Sequence, residues 1–301
     1  MNVPLIERYR DCLPVNGSTP VVSLGEGSTP LLRAERLSDK YGAEIWLKCE
    51  GLNPTGSFKD RGMTLAVSKA LEEDARAVVC ASTGNTAASA AAYAARAGLE
   101  ALIVYPAGAV AVGKLAQACA VGAELREIDG SFDDSLDAAR ELAERPGHVL
   151  VNSLNPYRVQ GQKTAAFEVV EDLGRTPDVL ALPYGGGGNT HAYALGFSEV
   201  GEVPHLVAAE AADRPGTRAS AIRIGQPVHH DEVEDDARRF GGQVVALPDD
   251  EILEARRELG ELEGVFCEPA SAAGLAAVAR ERPKGVVVCV ITGHGLKDPG
   301  A

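Results

Sequence analysis

Lys59 lies in the run Asn53-Pro54-Thr55-Gly56-Ser57-Phe58-Lys59-Asp60-Arg61. Pro54 and Gly56 mark a turn, and apolar periodicity beginning near Met63 predicts a helix just beyond the lysine. A lysine there faces the positive end of the helix macrodipole, which disfavours the ammonium form. The neutral amine is the nucleophile in Schiff-base chemistry. By spacing alone, a solvated lysine opening a helix fits at least as well.

Three further segments could bind anions. Ser82-Thr83-Gly84-Asn85-Thr86 follows an apolar run and opens an alanine-rich helical stretch. Hydroxyls, an amide and unsatisfied backbone N–H groups there suit a carboxylate or phosphate; a simple helix cap is the plainer reading. Tyr184-Gly185-Gly186-Gly187-Gly188-Asn189 is neither a Walker loop nor a dinucleotide turn. Consecutive glycines permit positive φ and a nest of N–H groups, or simply a flexible turn. In the polar run Asn152, Ser153, Asn155, Arg158, Gln162, Lys163, Arg158 suits a bidentate clamp on phosphate or carboxylate. A surface arginine in a solvated loop is the alternative. His229-His230 beside Asp231 lacks helical i, i+4 spacing and reads as surface rather than as a metal site.

These residues need elements to place them. EIWLKC, AVVCAS, ALIVYP, HVLVN, DVLALP and GVVVCVIT predict buried strands. TLAVSKALEED, TAASAAAYAARAG, GKLAQACAVG, FDDSLDAARELAER, QKTAAFEVVEDL and DEILEARRELGELEG predict helices between them. The rhythm predicts an α/β fold with mostly parallel twisted sheets flanked by helices. Ligands in such sheets bind beyond the carboxyl ends of strands, where the Ser82, Gly185 and Thr292 segments fall.

The bulk numbers exclude other classes. The 301 residues carry a net charge of −14, from 29 Lys+Arg against 43 Asp+Glu, which argues against nucleic acid or an anionic membrane as partner. The six cysteines stand singly, with no zinc-ligand spacing, and read as reduced core residues. No charged leader or membrane-length apolar run is visible, so a cytoplasmic protein is expected. The expected partner is a small molecule, and the expected assembly a homodimer.

Together the segments resemble the threonine synthase family, fold type II of the pyridoxal 5'-phosphate (PLP) enzymes, the group that includes the tryptophan synthase β chain. The resemblance runs from Leu24-Gly25-Glu26-Gly27-Ser28-Thr29-Pro30-Leu31 through the Lys59 and Ser82 segments, Gly113-Lys114-Leu115-Ala116-Gln117 and Gly161-Gln162-Lys163-Thr164-Ala165. It continues in Ala221-Ile222-Arg223-Ile224-Gly225, Glu268-Pro269-Ala270-Ser271-Ala272 and Thr292-Gly293-His294-Gly295-Leu296-Lys297-Asp298-Pro299. The last run is the most specific to the family.

The resemblance implies two domains, 1–50 with 153–301 as the large PLP-binding one and 51–152 as a smaller mobile one. It implies that Lys59 is the catalytic residue and holds PLP as a Schiff base, that Asn85 bonds the ring 3-oxygen, and that Thr292 faces the pyridine nitrogen. Gly185, Gly186, Gly187, Gly188 and Asn189 would cradle the cofactor phosphate. Ser82, Thr83 and Thr86 would hold the substrate carboxylate, and Asn152, Ser153 and Arg158 its phosphate. The implied reaction turns O-phospho-L-homoserine and water into L-threonine and phosphate, with Lys59 removing the α-proton and then a β-proton.

The glycine loop departs from the family's usual valine-glycine-asparagine, small residue, glycine-asparagine. Gly186 lacks a side chain to reach the substrate phosphate, and Tyr184 adds bulk near the cofactor. The following Thr190-His191-Ala192-Tyr193-Ala194-Leu195 also differs, and the stretch 200–217 is shortened. A diverged relative catalysing amino-acid dehydration or β/γ-replacement therefore stays open, as does a non-catalytic binding protein on the same fold.

Overall fold

The computed structural model describes residues 3–108 and 112–299, and the side chains of 112–114 lie outside that description. In chain order, α1 (Leu5–Arg8), β1 (Leu31–Arg33), α2 (Glu35–Tyr41), β2 (Glu44–Lys48), α3 (Lys59–Glu72), β3 (Ala77–Ala81), α4 (Asn85–Ala97) and β4 (Glu100–Pro106) come first. Next are α5 (Val112–Ala120), β5 (Glu124–Ile128), α6 (Phe132–Ala143), β6 (His148–Leu150), α7 (Pro156–Gln162), α8 (Thr164–Leu173) and β7 (Val179–Pro183). Last come α9 (Gly188–Val200), β8 (His205–Ala211), α10 (His230–Arg239), β9 (Gln243–Leu247), α11 (Asp249–Glu263), α12 (Ala273–Glu281) and β10 (Val286–Val290).

The chain forms two compact units. Unit 1, Met1–Gly27 with Lys59–Gln162, holds the parallel sheet β5-β4-β3-β6. Unit 2, Ser28–Phe58 with Lys163–Ala301, holds the sheet β1-β2-β10-β7-β8-β9. Among the described strand pairings of unit 2, β1–β2 is antiparallel and the others are parallel. The inner strands β3, β7 and β10 are almost wholly buried Val, Leu, Ala and Cys, as strands covered on both faces must be. No helix among the described residues is long and apolar enough to cross a membrane.

The division differs from the expected one at three places, two with a polar cause and one with a packing cause. Residues 1–27 belong to unit 1. There Thr64 Oγ1 donates to Val22 O, Val22 N–H donates to Ser68 Oγ, and Glu26 Oε2 accepts from Tyr93 OH at 2.8 Å. Residues 51–58 belong to unit 2, because Gly51 N–H donates to Ile291 O and Phe58 N–H to Thr292 O, each at 3.0 Å. Residues 153–162 belong to unit 1, where α7 crosses α3 at a pair of glycines. A Cβ on Gly161 would stand 2.1 Å from Arg61 O, and one on Gly62 would stand 2.7 Å from Arg158 Nε. Neither position has room for a side chain.

Candidate active site

In unit 1 the chemistry gathers at the carboxyl end of β3 and the first turns of α3, α4 and α7. Lys59 is the first residue of α3 and half-buried. The next residue, Asp60, is fully buried and accepts from Ser89 Oγ on α4 at 2.6 Å, which fixes the start of α3 against the helix opened by Asn85. Ser82, Thr83 and Gly84 form the turn between β3 and α4, and Asn85 and Thr86 open the helix; all five are half-exposed. Ser82 Oγ accepts from Gly84 N–H at 3.2 Å, and no side chain caps α4. The positive end of α4 is thus presented by a turn of small polar residues.

Asn152 is buried and bound both ways to one residue. Its Oδ1 accepts from Ala81 N–H at 2.9 Å, and its Nδ2 donates to Ala81 O at 2.8 Å. It first of all staples the end of β3, which sets the Ser82 turn; one amide hydrogen remains for a ligand. Ser153 follows it, half-buried.

Arg158 is not the surface arginine that the polar run allowed. Its side chain is 1% exposed. Nη1 donates to Val151 O at 2.9 Å, while Nε and Nη2 have no hydrogen-bond partner among the described residues. Burial pulls its pKa down to about 10 against the opposing influence of Cys80 and Asp60. Burial likewise pushes the Cys80 thiol up to about 12, although the charges of Arg158 and Lys59 pull the other way. A buried cation with two idle donors suits an anion that brings acceptors with it. Lys163, from the same polar run, lies in unit 2 and pairs with Glu199 at 2.7 Å.

In unit 2, β7 and β10 are parallel neighbours in the interior of the sheet, so the segments that follow them leave its carboxyl end side by side. Tyr184 to Gly187 leads from β7 into α9, with Gly187 at φ +87° and no side-chain cap on the helix. Asn189 and Thr190 are buried, and Asn189 Nδ2 and Thr190 Oγ1 have no partner among the described residues. Uncapped N–H groups with two idle polar side chains fit a phosphate at this helix start. Tyr184 does not crowd the loop: its ring packs with Ala208, Val233 and Val244. His229 and His230 go to different partners. His229 Nδ1 stands 3.5 Å from Glu232, whereas His230 Nδ1 stands 3.0 Å from Tyr184 OH.

Thr292 follows β10 and is buried, with Oγ1 2.9 Å from Ser271 Oγ. Ser271 Oγ also accepts from Gly293 N–H at 2.7 Å. This pairing was not visible from either residue alone, nor was the Asp60–Ser89 bond. The bond from Phe58 N–H to Thr292 O ties the residue preceding Lys59 to the same turn.

Residues 22–293 match the model of the pyridoxal-phosphate dependent enzyme family. The chain is 51% identical to a threonine synthase of Synechocystis, over 98% of this chain and 83% of that protein. It is 42% identical to a threonine synthase of Methanocaldococcus jannaschii, over 98% and 81%. Among solved structures, maize serine racemase superposes with a TM-score of 0.78 at 25% identity, covering 89% of this chain and 88% of that one.

Proposed function

Because the chain belongs to the threonine synthases of the pyridoxal-phosphate dependent enzyme family, we propose that it converts O-phospho-L-homoserine and water to L-threonine and phosphate. The observation that carries the choice of a phosphorylated substrate is Arg158, buried with Nε and Nη2 unpartnered.

The residues present fit PLP. Lys59 at the start of α3 would anchor it covalently through Nζ, and Asn85 at the start of α4 would bond the ring oxygen. Gly185, Gly186, Gly187, Gly188 and Asn189 would hold its phosphate at the uncapped start of α9, and the Thr292 hydroxyl would meet the ring nitrogen. When bound, the cofactor supplies an electron sink for negative charge developing on the substrate.

The protein's own groups do the rest. Lys59 Nζ, as a neutral amine, takes the proton from the substrate α-carbon and later one from the β-carbon. Ser82, Thr83 and Thr86 hold the carboxylate against the positive end of α4. Arg158 receives the substrate phosphate on its two idle donors, and Asn152 and Ser153 flank it. Phosphate leaves the γ-carbon as the β-proton is lost, and the γ-carbon takes up a proton and becomes the methyl group. Water adds its hydroxyl at the β-carbon, Lys59 returns a proton to the α-carbon, and the remaining proton leaves with hydrogen phosphate. A neutral hydroxyl at Thr292 does not force a proton onto the ring nitrogen, as a carboxylate would.

Borohydride reduction of the cofactor-loaded protein followed by peptide mapping tests the anchor. The label belongs on the peptide containing Lys59, and Lys59→Ala removes both label and turnover. A label on another lysine overturns the assignment.

A further inference from the structure

The glycine loop is held from behind by residues that the proposed reaction does not use. Arg214, just beyond β8, donates from Nη1 to Gly185 O at 3.2 Å and to Ile224 O at 3.0 Å. Its Nε donates to Glu210 Oε2 at 3.0 Å, and Nη2 donates to the same oxygen. The guanidinium carbon lies 4.6 Å from the centroid of the Tyr184 ring, the residue that opens the loop. One residue further on, Gly186 O accepts from the backbone N–H of His229 at 3.1 Å. His229 stacks on His191 with centroids 6.1 Å apart, and His191 Nδ1 is 2.8 Å from Asp236 Oδ2.

Peptide geometry turns these contacts into an orientation. In a trans peptide the C=O of one residue and the N–H of the next point in opposite directions. Fixing the Gly185 and Gly186 carbonyls toward Arg214 and His229 therefore turns the N–H groups of Gly186 and Gly187 the other way. Close packing leaves the loop little alternative. A Cβ on Gly185 would stand 3.1 Å from Ile222 Cα, and one on Gly187 would stand 2.8 Å from His229 O. Peptide N–H groups set in advance bind an anion without a further ordering cost.

We infer that Arg214 is a positioning residue for the cofactor phosphate: by holding the Gly185 carbonyl it aims the loop's N–H groups. It touches neither substrate nor the reacting atoms. The inference rests on the reading that this loop binds the phosphate of PLP, and it adds a residue that supports the loop through its rear face. Tyr184 and Arg214 then form one device, the ring serving as the platform that keeps the guanidinium under the loop.

The test compares two ligands that differ only in the phosphate. Apo-protein of the full chain is titrated with PLP and with pyridoxal, for wild type, Arg214→Met and Arg214→Lys. Wild type should bind PLP much more tightly than pyridoxal. Arg214→Met should lower the PLP-to-pyridoxal affinity ratio by about 10-fold to 100-fold, the effect of one lost charge-assisted bond at a partly buried site. Pyridoxal binding itself should be unchanged, which a general loss of structure would not produce. Arg214→Lys keeps one donor and should fall between, and it reads the same ratio if the methionine variant does not fold. An undiminished ratio in both variants overturns the role of Arg214. A wild type that does not distinguish the two ligands overturns the assignment of the phosphate to this loop, and the inference with it.

Discussion

Replacing Arg158 by methionine keeps an unbranched apolar stem and removes the guanidinium, and the structure gives opposite signs for its two consequences. Without an anion, the arginine is a buried charge with one bond to Val151 O and two idle nitrogens. Burial pulls its pKa down to about 10 even against the opposing influence of Cys80 and Asp60, so the buried charge is itself a cost to the apo-protein. Methionine carries no such cost, so the apo-protein should be as stable as wild type or slightly more stable. With the substrate phosphate bound, Nε and Nη2 would make two charge-assisted bonds of about 1.5–3 kcal/mol each. Their loss at a desolvated site should cost about 2–5 kcal/mol, or roughly 30-fold to several thousand-fold in kcat/KM for O-phosphohomoserine. The assays are phosphate release under kcat/KM conditions and thermal melts of the apo-protein. Inorganic phosphate should raise the melting temperature of wild type more than that of the variant. Unchanged kinetics would refute the reasoning, and so would a large loss of apo stability, which would make Arg158 a structural residue.

Other consequences follow from single contacts. Gly62→Ala places a Cβ 2.7 Å from Arg158 Nε, Arg158 O and Gln162 Nε2, so it should spread α3 from α7. It should cost about 1–3 kcal/mol of stability by overpacking, seen in urea melts, together with a raised KM for the phosphorylated substrate. Ser271→Ala removes the partner of Thr292 Oγ1 and the acceptor of Gly293 N–H. It should lower stability by about 1–3 kcal/mol and shift the absorption band of the bound cofactor; an unchanged spectrum would separate Thr292 from the ring. The hydrogen bond that His191 Nδ1 donates to Asp236 raises the pKa of His191 above its ordinary value. That pair therefore stabilises the fold fully below about pH 6.5, and the contribution is lost as pH rises through the folded value. The melting-temperature advantage of wild type over His191→Gln should accordingly shrink between pH 6 and pH 9, and a constant difference would contradict this.

What the sequence showed was whatever depends on neighbours along the chain. The Lys59 turn, the Ser82 turn and the glycine run each follow or precede a periodic segment, and all three lie at element ends as that order predicts. Buried strands such as β3 and β10 were plain because apolar residues fill both faces. The edge strands β5 and β9 were not: exposure on one side admits Glu, Arg and Gln, which blurs the pattern. Strand β8 is rich in alanine, a weak strand signal. The supporting pairs Asp60–Ser89, Ser271–Thr292 and Gly185–Arg214 join residues 29, 21 and 29 positions apart, so no local pattern could reveal them. Asn152 was recognisable as polar, but its two hydrogen bonds with the Ala81 backbone depend on β6 lying beside β3. The division between units escaped for the same reason, since residues 1–27 join unit 1 through side chains on α3 and α4.

The most direct test of the reaction is to follow O-phospho-L-homoserine in water labelled with oxygen-18, using the cofactor-loaded wild type. Elimination from the γ-carbon breaks the carbon–oxygen bond, so phosphate keeps its original oxygens, and the added water appears only in the product hydroxyl. The account predicts L-threonine carrying one labelled oxygen and an equal amount of unlabelled phosphate, both lost in Lys59→Ala. Labelled phosphate with homoserine would mean hydrolysis at phosphorus and would contradict it, as would the absence of any phosphate release.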